Sequence, residues 1–397
     1  MPQCEPNKIG STMVVFRLFL INLPASAEFA NDNRIYEGGD DFYIMKSLKF
    51  PFSFVFAILL LGLTFSLHGQ PTASDTSKKS FRLFEDDKLI DITLKLDLTT
   101  YFRLKPQKEY IDANLTIHTG ANDSLSRDIK LKTRGVFRNQ YCTFAPIELN
   151  LKKAGFGYSD LDKIGKLKLQ PQCNSGKDKE EYVLREYLAY KLFNVMTDTS
   201  FRVRLLSVTY LDSKKDRKPV KQYGFFIEPA EMLAGRTNSM LIKSKTITQR
   251  SIIPWIMDRM AIFNYMIGNY DWSVPGQHNV LVIKSQVPDP YGRGIAIPHD
   301  FDWTGLVNAS YAIPAENVGT SNVRERIFGG LCRKKEVFYD MLSLFYTKKS
   351  DFYRIINDFP YVSTKAKKDM TRYLDEFFNQ LEGKRDLILY TLLNSCK

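Results

Sequence analysis

The chain has 397 residues, with 56 Lys and Arg against 44 Asp and Glu, a net charge of +12. That length allows one large or two small domains, and the basic balance favours acidic partners such as nucleotides, acidic polymers or membrane surfaces. The basic residues are scattered, with no arginine-rich arm or nucleic-acid-binding motif, so nucleic acid is excluded as a partner, and four histidines are too few to suggest a zinc enzyme.

The first seventy residues differ from the rest. Met45-Lys46-Ser47-Leu48-Lys49 is a short basic start, residues 52–67 are apolar, and Leu67-His68-Gly69-Gln70 is a small, polar exit. This is the layout of a secretory signal peptide at 45–70. An uncleaved anchor is the alternative, although the run is short against the roughly 20 apolar residues a span needs. Residues 1–44 then read as an over-extended N-terminus, with residues 13–27 as a second, weaker signal-like run. Removing residues 1–70 takes away five basic and six acidic residues and leaves the balance one charge more positive. The expectation is a periplasmic or secreted protein with no stable membrane span after cleavage. Cys142, Cys173, Cys332 and Cys396 would remain, enough for two disulfides. Cys142 with Cys173 is the favoured pair, and buried free thiols are the alternative.

Residues 71–80 are polar. From Leu89 the pattern alternates, with Ile90, Ile92, Leu94 and Leu96 on one face. Residues 110–119 and 126–133 alternate likewise, which predicts half-buried strands, and Gly120-Ala121-Asn122-Asp123 is a hairpin turn signal. Residues 146–151 and 166–169 are further short strands. Residues 180–196 carry helical spacing with leading acids and no Gly or Pro. Strands return at 201–211 and 221–227. After Pro229 the pattern predicts helices over 255–269, 336–347, 351–357, 365–381 and 384–393, interrupted by short strands at 280–283 and 295–297. The expected fold class is therefore α+β: a β-rich N-terminal lobe with one main helix over 71–228, and an α-rich C-terminal lobe over 229–397. A ligand cleft between the lobes is the expectation.

The chemistry-bearing residues gather just past that boundary. Asp271 follows a helix, Asn279 precedes a strand, and Asp300 and Asp302 follow the next one. Phosphoryl transfer needs a carboxylate to take the acceptor's proton, oxygen ligands for a divalent ion, and a lysine paired with a helix glutamate. Asp271 fits the catalytic base. Asn279, Asp300 and Asp302 fit the ligands of Mg²⁺ or Mn²⁺. Lys168, on the strand-like KLKL, and Glu186, inside the helix, fit the pair that anchors ATP, with Lys132, Lys152 and Lys166 as rival lysines. The bland alternative for each Asp and Asn is an ordinary turn residue. His278 reads as a loop neighbour rather than a proton carrier. Gly135 and the Gly155-Phe156-Gly157 turn are weak phosphate-covering candidates.

The ordered pieces TRGVFR (133–138), VLREYLAYKLF (183–193), VTYLD (208–212) with QYGFFIEP (222–229), NYDWSVPGQHNVLVI (269–283) and IPHDFDW (297–303) resemble the CotH-type spore-coat kinase family and related secreted bacterial proteins. The resemblance covers about half the chain, roughly residues 110–310, through scattered short motifs. It implies a two-lobed protein-kinase-like fold that uses ATP and a divalent metal to phosphorylate Ser or Thr of a protein substrate. By position, Asp271 would take the base role, Asn279 a metal-loop role, and Asp300 the metal-aspartate role with Asp302 as second ligand. The family's nucleotide lysine often follows the Arg-Gly turn, but residues 143–151 hold no lysine, so Lys168 or Lys152 must substitute. The alternatives are a transferase acting on glycans or lipids, a nucleotidyl transferase, or a non-catalytic surface protein whose acids hold Ca²⁺.

Overall fold

The computed structural model describes residues 79–397 apart from 243, 245, 288, 383 and 384. The N-terminal calls, the signal peptide at 45–70 and the over-extended start at 1–44, lie outside the described residues.

The strands β1 (Ile90–Leu96), β2 (Ile111–His118), β3 (Ser124–Thr133), β4 (Ile147–Asn150), β5 (Lys166–Pro171), β6 (Val203–Asp212) and β7 (Val220–Ile227) form a closed barrel in the order β1-β2-β3-β4-β5-β7-β6. All neighbours are antiparallel except the closing pair, where β6 runs parallel to β1 from Ile90↔Leu206 to Leu96↔Asp212. Alternation explains the interior: Ile92, Leu94, Leu115, Leu131, Leu149 and Leu169 point inward while their sequence neighbours face out. Strand β6 breaks the alternation. Its Leu206 and Val208 face the barrel interior, and its Val203 and Leu205 join a second core outside it, so the strand is apolar on both sides.

This closed barrel overturns the expected two-lobed kinase-like fold. The physical reason lies in β6. Period-two patterning is the same in an open sheet and in a closed one. Closure depends on β6 returning to β1 across four intervening strands, and nothing local in either strand encodes that partner.

Outside the barrel, α1 (Leu98–Leu104) and α2 (Phe137–Tyr141) are short connectors, and α3 (Lys177–Met196) is the longest helix of this region. Helix α1 starts where Asp97 accepts a hydrogen bond from the Thr100 N–H at 3.0 Å. Neither α1 nor α2 was expected from the sequence, since each is too short for a periodic signal. Helix α3 packs on the outer faces of β6 and β7 through Tyr187, Tyr190 and Leu192. The same apolar core continues into α4 (Ala230–Arg236), α5 (Pro254–Ile267), α6 (Lys335–Thr347), α7 (Lys349–Asp358), α8 (Thr364–Glu382) and α9 (Arg385–Ser395), and into a small sheet of β8 (Ser239–Leu241), β9 (Val280–Ser285) and β10 (Ile295–Pro298) in the order β10-β9-β8. One core therefore spans residues on both sides of Glu228.

Two disulfides close the chain on itself: Cys142–Cys173, the favoured pair, and Cys332–Cys396. Disulfides persist in oxidising surroundings and are rare in the reducing cytosol, so the chain belongs outside the cytoplasm. Among the described residues, no helix is long and apolar enough to cross a membrane.

Candidate functional site: a buried acidic centre around Arg138

Helix α5 sets up the loop that carries Asp271. Pro254 occupies its first turn, where no backbone N–H is needed. Gly268 ends it at φ +66°, and its N–H reaches back to the Asn264 and Tyr265 carbonyls. The next residue, Asn269, is fully buried and clamped to Asn264 by its own N–H at 2.7 Å and its side chain at 3.1 Å. Its Oδ1 then accepts the Asp271 N–H at 3.0 Å. Asp271 is thus aimed by a rigid helix end.

The chain then makes a tight excursion. Ser273 and His278 exchange backbone hydrogen bonds at 2.9 and 3.0 Å, which returns His278 beside its start. His278 Nε2 lies 2.8 Å from Asp271 Oδ1. Asn279 Nδ2 donates to the Asp271 carbonyl at 2.9 Å and to its Oδ2 at 3.0 Å. Asn279 thereby holds Asp271 rather than offering its amide nitrogen elsewhere. Its carbonyl accepts the His299 N–H at 2.9 Å, which ties this loop to the end of β10. Asn279 and Asp300 both take left-handed backbone, at φ +52° and +62°, a conformation that Asn and Asp tolerate better than most residues.

Beyond β10 the chain delivers Asp300 and Asp302 to Glu186 of α3. Oxygens of the three carboxylates lie within 4.8 Å of one another. Arg138 of α2 sits among them. Its Nη1 donates to Glu186 Oε2 at 2.9 Å, its Nη2 pairs with Asp300 Oδ1, and its Nε lies 3.3 Å from Asp302 Oδ2. Tyr311 Oη donates to Asp302 Oδ2 at 3.1 Å, and Tyr190 Oη accepts the Asp300 N–H at 2.8 Å. Glu186, Asp302 and Arg138 are buried, whereas the Asp300 side chain is 32% exposed, so the centre meets solvent at Asp300. Glu186 Oε1 is buried with no hydrogen-bond partner among the described residues.

Three carboxylates around one guanidinium leave an excess of negative charge, and the protonation equilibria follow. Burial, reinforced by Asp302 and Asp300 and only partly offset by Arg138, pushes Glu186 up to about 8. Asp302 rises to about 7, by burial first and then the repulsion of Asp300, against the pull of Arg138. At Asp300 burial is outweighed by Arg138, Arg134, His299 and Lys168, which hold it at about 2. Burial also lowers His299 to about 4, with Lys168 and Arg134 acting in the same direction.

Those influences place Lys168 and Arg134 in the neighbourhood of Asp300. Lys168 of β5 keeps solvent contact, and its pKa is lowered by burial and then by Arg134. The expected pairing of Lys168 with Glu186 is absent: the partner of Glu186 is Arg138. Among the rival lysines, Lys132 and Lys166 pair with Glu148 on the barrel wall. The Gly155-Phe156-Gly157 turn closes on Asp162, which accepts two of its backbone N–H groups at 2.6 and 3.1 Å. That turn is structural.

All six residues singled out from the sequence therefore contribute to one region, in altered partnerships. Asp271 and Asn279 form one unit, Glu186, Asp300 and Asp302 another, and Lys168 acts on Asp300 through space. The hub, Arg138, was missed as a functional residue, although it lies within the TRGVFR segment. Charge balance is the signal for it, because three acids folded together require a cation.

The donors fit a hard divalent cation. All are carboxylate oxygens, they are already gathered, and one buried oxygen lacks a partner. The class that fold and centre define is a closed β-barrel protein with a buried acidic centre beside an aspartate held by His278 and Asn279. The chain matches no protein-family model, and no curated protein matches it.

Proposed function

We propose that this chain is a periplasmic or secreted phosphotransferase that moves the γ-phosphoryl group of ATP to a Ser or Thr hydroxyl of a protein. The observation that carries the reading is the union of two units through one hydrogen bond. The Asn279 carbonyl joins the Asp271 loop to His299, the residue before Asp300. Fold does not imply function, and the closed barrel adds nothing for or against this chemistry. The ordered motifs resembling the CotH-type family support it.

In this reading Asp271, fixed by Asn279 and His278, accepts the proton of the acceptor hydroxyl. Glu186, Asp300 and Asp302 would hold Mg²⁺ or Mn²⁺, with Asp300 at the solvent-facing edge. Such an ion supplies charge neutralisation on the transferring phosphoryl group. Lys168 and Arg134 offer cationic partners for phosphate oxygens. Arg134 is suited to this, since its Nε has no partner among the described residues.

A second reading rests on the same all-oxygen centre: a non-catalytic protein in which the acids hold structural Ca²⁺. Calorimetric titration with ATP and Mn²⁺ or Mg²⁺, followed by mass measurement of a protein acceptor, separates the two. Nucleotide binding with phosphate transfer supports the first. A thermal shift with Ca²⁺ alone, with no response to ATP and Mg²⁺, supports the second and removes the first.

A further inference from the structure

We infer that the Arg138 guanidinium is a built-in counter-cation that occupies the acidic centre and competes with the divalent ion for it. This rests on the cation-holding reading above and deepens it, adding a residue that sets how tightly the ion is held.

Four observations carry the inference. Arg138 touches all three acids at once, through Nη1, Nη2 and Nε. A planar guanidinium donates in one plane, and here it leaves Glu186 Oε1 without a partner. A hard dication has no such restriction and draws on oxygens from several directions. Finally, the three carboxylates that gather within 4.8 Å are the same three that Arg138 contacts, so an ion drawing them together competes with the guanidinium for them.

The element that carries Arg138 is built to let it withdraw. Helix α2 has five residues and no side-chain cap. It is preceded by Gly135, at φ +81° with open space around the Cβ position. Val136 is 73% exposed, and Phe137 and Tyr141 are partly exposed but pack against Trp303 and Tyr311, so withdrawal of Arg138 would shift these ring contacts as well. Its far end is anchored, because Cys142 is bonded to Cys173. The segment therefore pivots near Cys142 when the acids turn to the ion. In the ion-free chain Arg138 keeps the centre from being an uncompensated cluster of buried charge.

The test is Mn²⁺ binding, measured by isothermal titration calorimetry on the protein with its native disulfides, in wild type, Arg138→Gln and Arg138→Lys. Melting in chelator and in Mn²⁺ reports folding. The expected result is at least ten-fold tighter Mn²⁺ binding by Arg138→Gln, which melts lower in chelator and is restored by Mn²⁺. Arg138→Lys, a point charge that cannot bridge three acids, is expected to bind Mn²⁺ more tightly than wild type by a smaller factor. If Arg138→Gln does not fold even with Mn²⁺ present, Arg138→Lys decides. Equal or weaker binding by the folded variants while wild type binds Mn²⁺ overturns the competition and leaves the cation site standing. No binding by any form overturns both.

Discussion

Arg138 and Glu186 meet at 2.9 Å inside the protein, the guanidinium from a five-residue helix and the carboxylate from the middle of the longest helix on the barrel. The pair joins two elements that the chain separates by β4 and β5. Removing one partner of a buried pair typically costs about 3–5 kcal/mol, because the other charge stays buried. Arg138→Met should therefore destabilise the chelated protein by roughly 3 kcal/mol or more. Adding Glu186→Gln and Asp302→Asn should recover much of it by removing the stranded charge. Urea unfolding of the single and triple variants measures both; a triple variant no better than the single one would refute this account of the centre.

The pH dependence has a defined sign. Glu186 and Asp302 bind protons more tightly when folded, at about 8 and about 7, than the ordinary 4.5 and 3.8. Between those limits the native state holds more protons than the unfolded chain, so stability falls as pH rises. In chelator, melting temperature should decline from pH 5 to about 8.5, and Glu186→Gln should flatten the upper part of that decline. Asp300 acts oppositely: its contribution is present above its ordinary 3.8 and disappears as pH falls through about 2. A profile that rises with pH in chelator would contradict the assignment. Added Mn²⁺ should raise the alkaline arm most, where the acids are already deprotonated.

Asp271 is held at four points: by Asn269 at its N–H, by His278 at Oδ1, and by Asn279 at its carbonyl and at Oδ2. Loss of a general base costs typically 10²–10⁴-fold in rate. Asp271→Asn should therefore reduce phosphate transfer by about 100-fold or more while far-UV dichroism and melting stay near wild type. His278→Gln should cost much less, because His278 orients Asp271 from an exposed position. A His278→Gln loss as large as that of Asp271→Asn would instead make His278 the proton carrier.

The Cys142–Cys173 bond anchors the end of α2 to the segment after β5. It spans a sequence separation of 31 residues, for which chain entropy suggests a contribution of roughly 3–4 kcal/mol. The double Cys→Ser variant should lose about that much in denaturant. It should also tighten Mn²⁺ binding, since a freer α2 lets Arg138 leave the acidic centre more readily. Cys332–Cys396 ties Cys332, ahead of α6, to the residue after α9, so its removal should lower stability without changing the ion affinity.

Gly268 sits where only glycine fits. Its φ is +66°, and a Cβ would run into the Tyr373 hydroxyl. Gly268→Ala should destabilise by about 2 kcal/mol or more, by left-handed strain plus the clash, and should reduce transfer activity too, because Asn269 and Asp271 follow directly. Pairing it with Tyr373→Phe should return part of the stability.

Local pattern determined much of this protein. The alternation in residues 90–96, the helical spacing in 180–196 and the acids at 271, 300 and 302 each announced an element or a candidate chemical group, because side-chain period and turn chemistry are properties of neighbours in sequence. What the tertiary structure alone decided was partnership. Closure of the barrel by β6 on β1 replaced the two-lobed expectation, and Glu186 took Arg138 rather than Lys168 as its partner. Both outcomes depend on pairings between segments far apart in the chain, chosen by competing burial and charge balance in three dimensions. No window of sequence contains that competition.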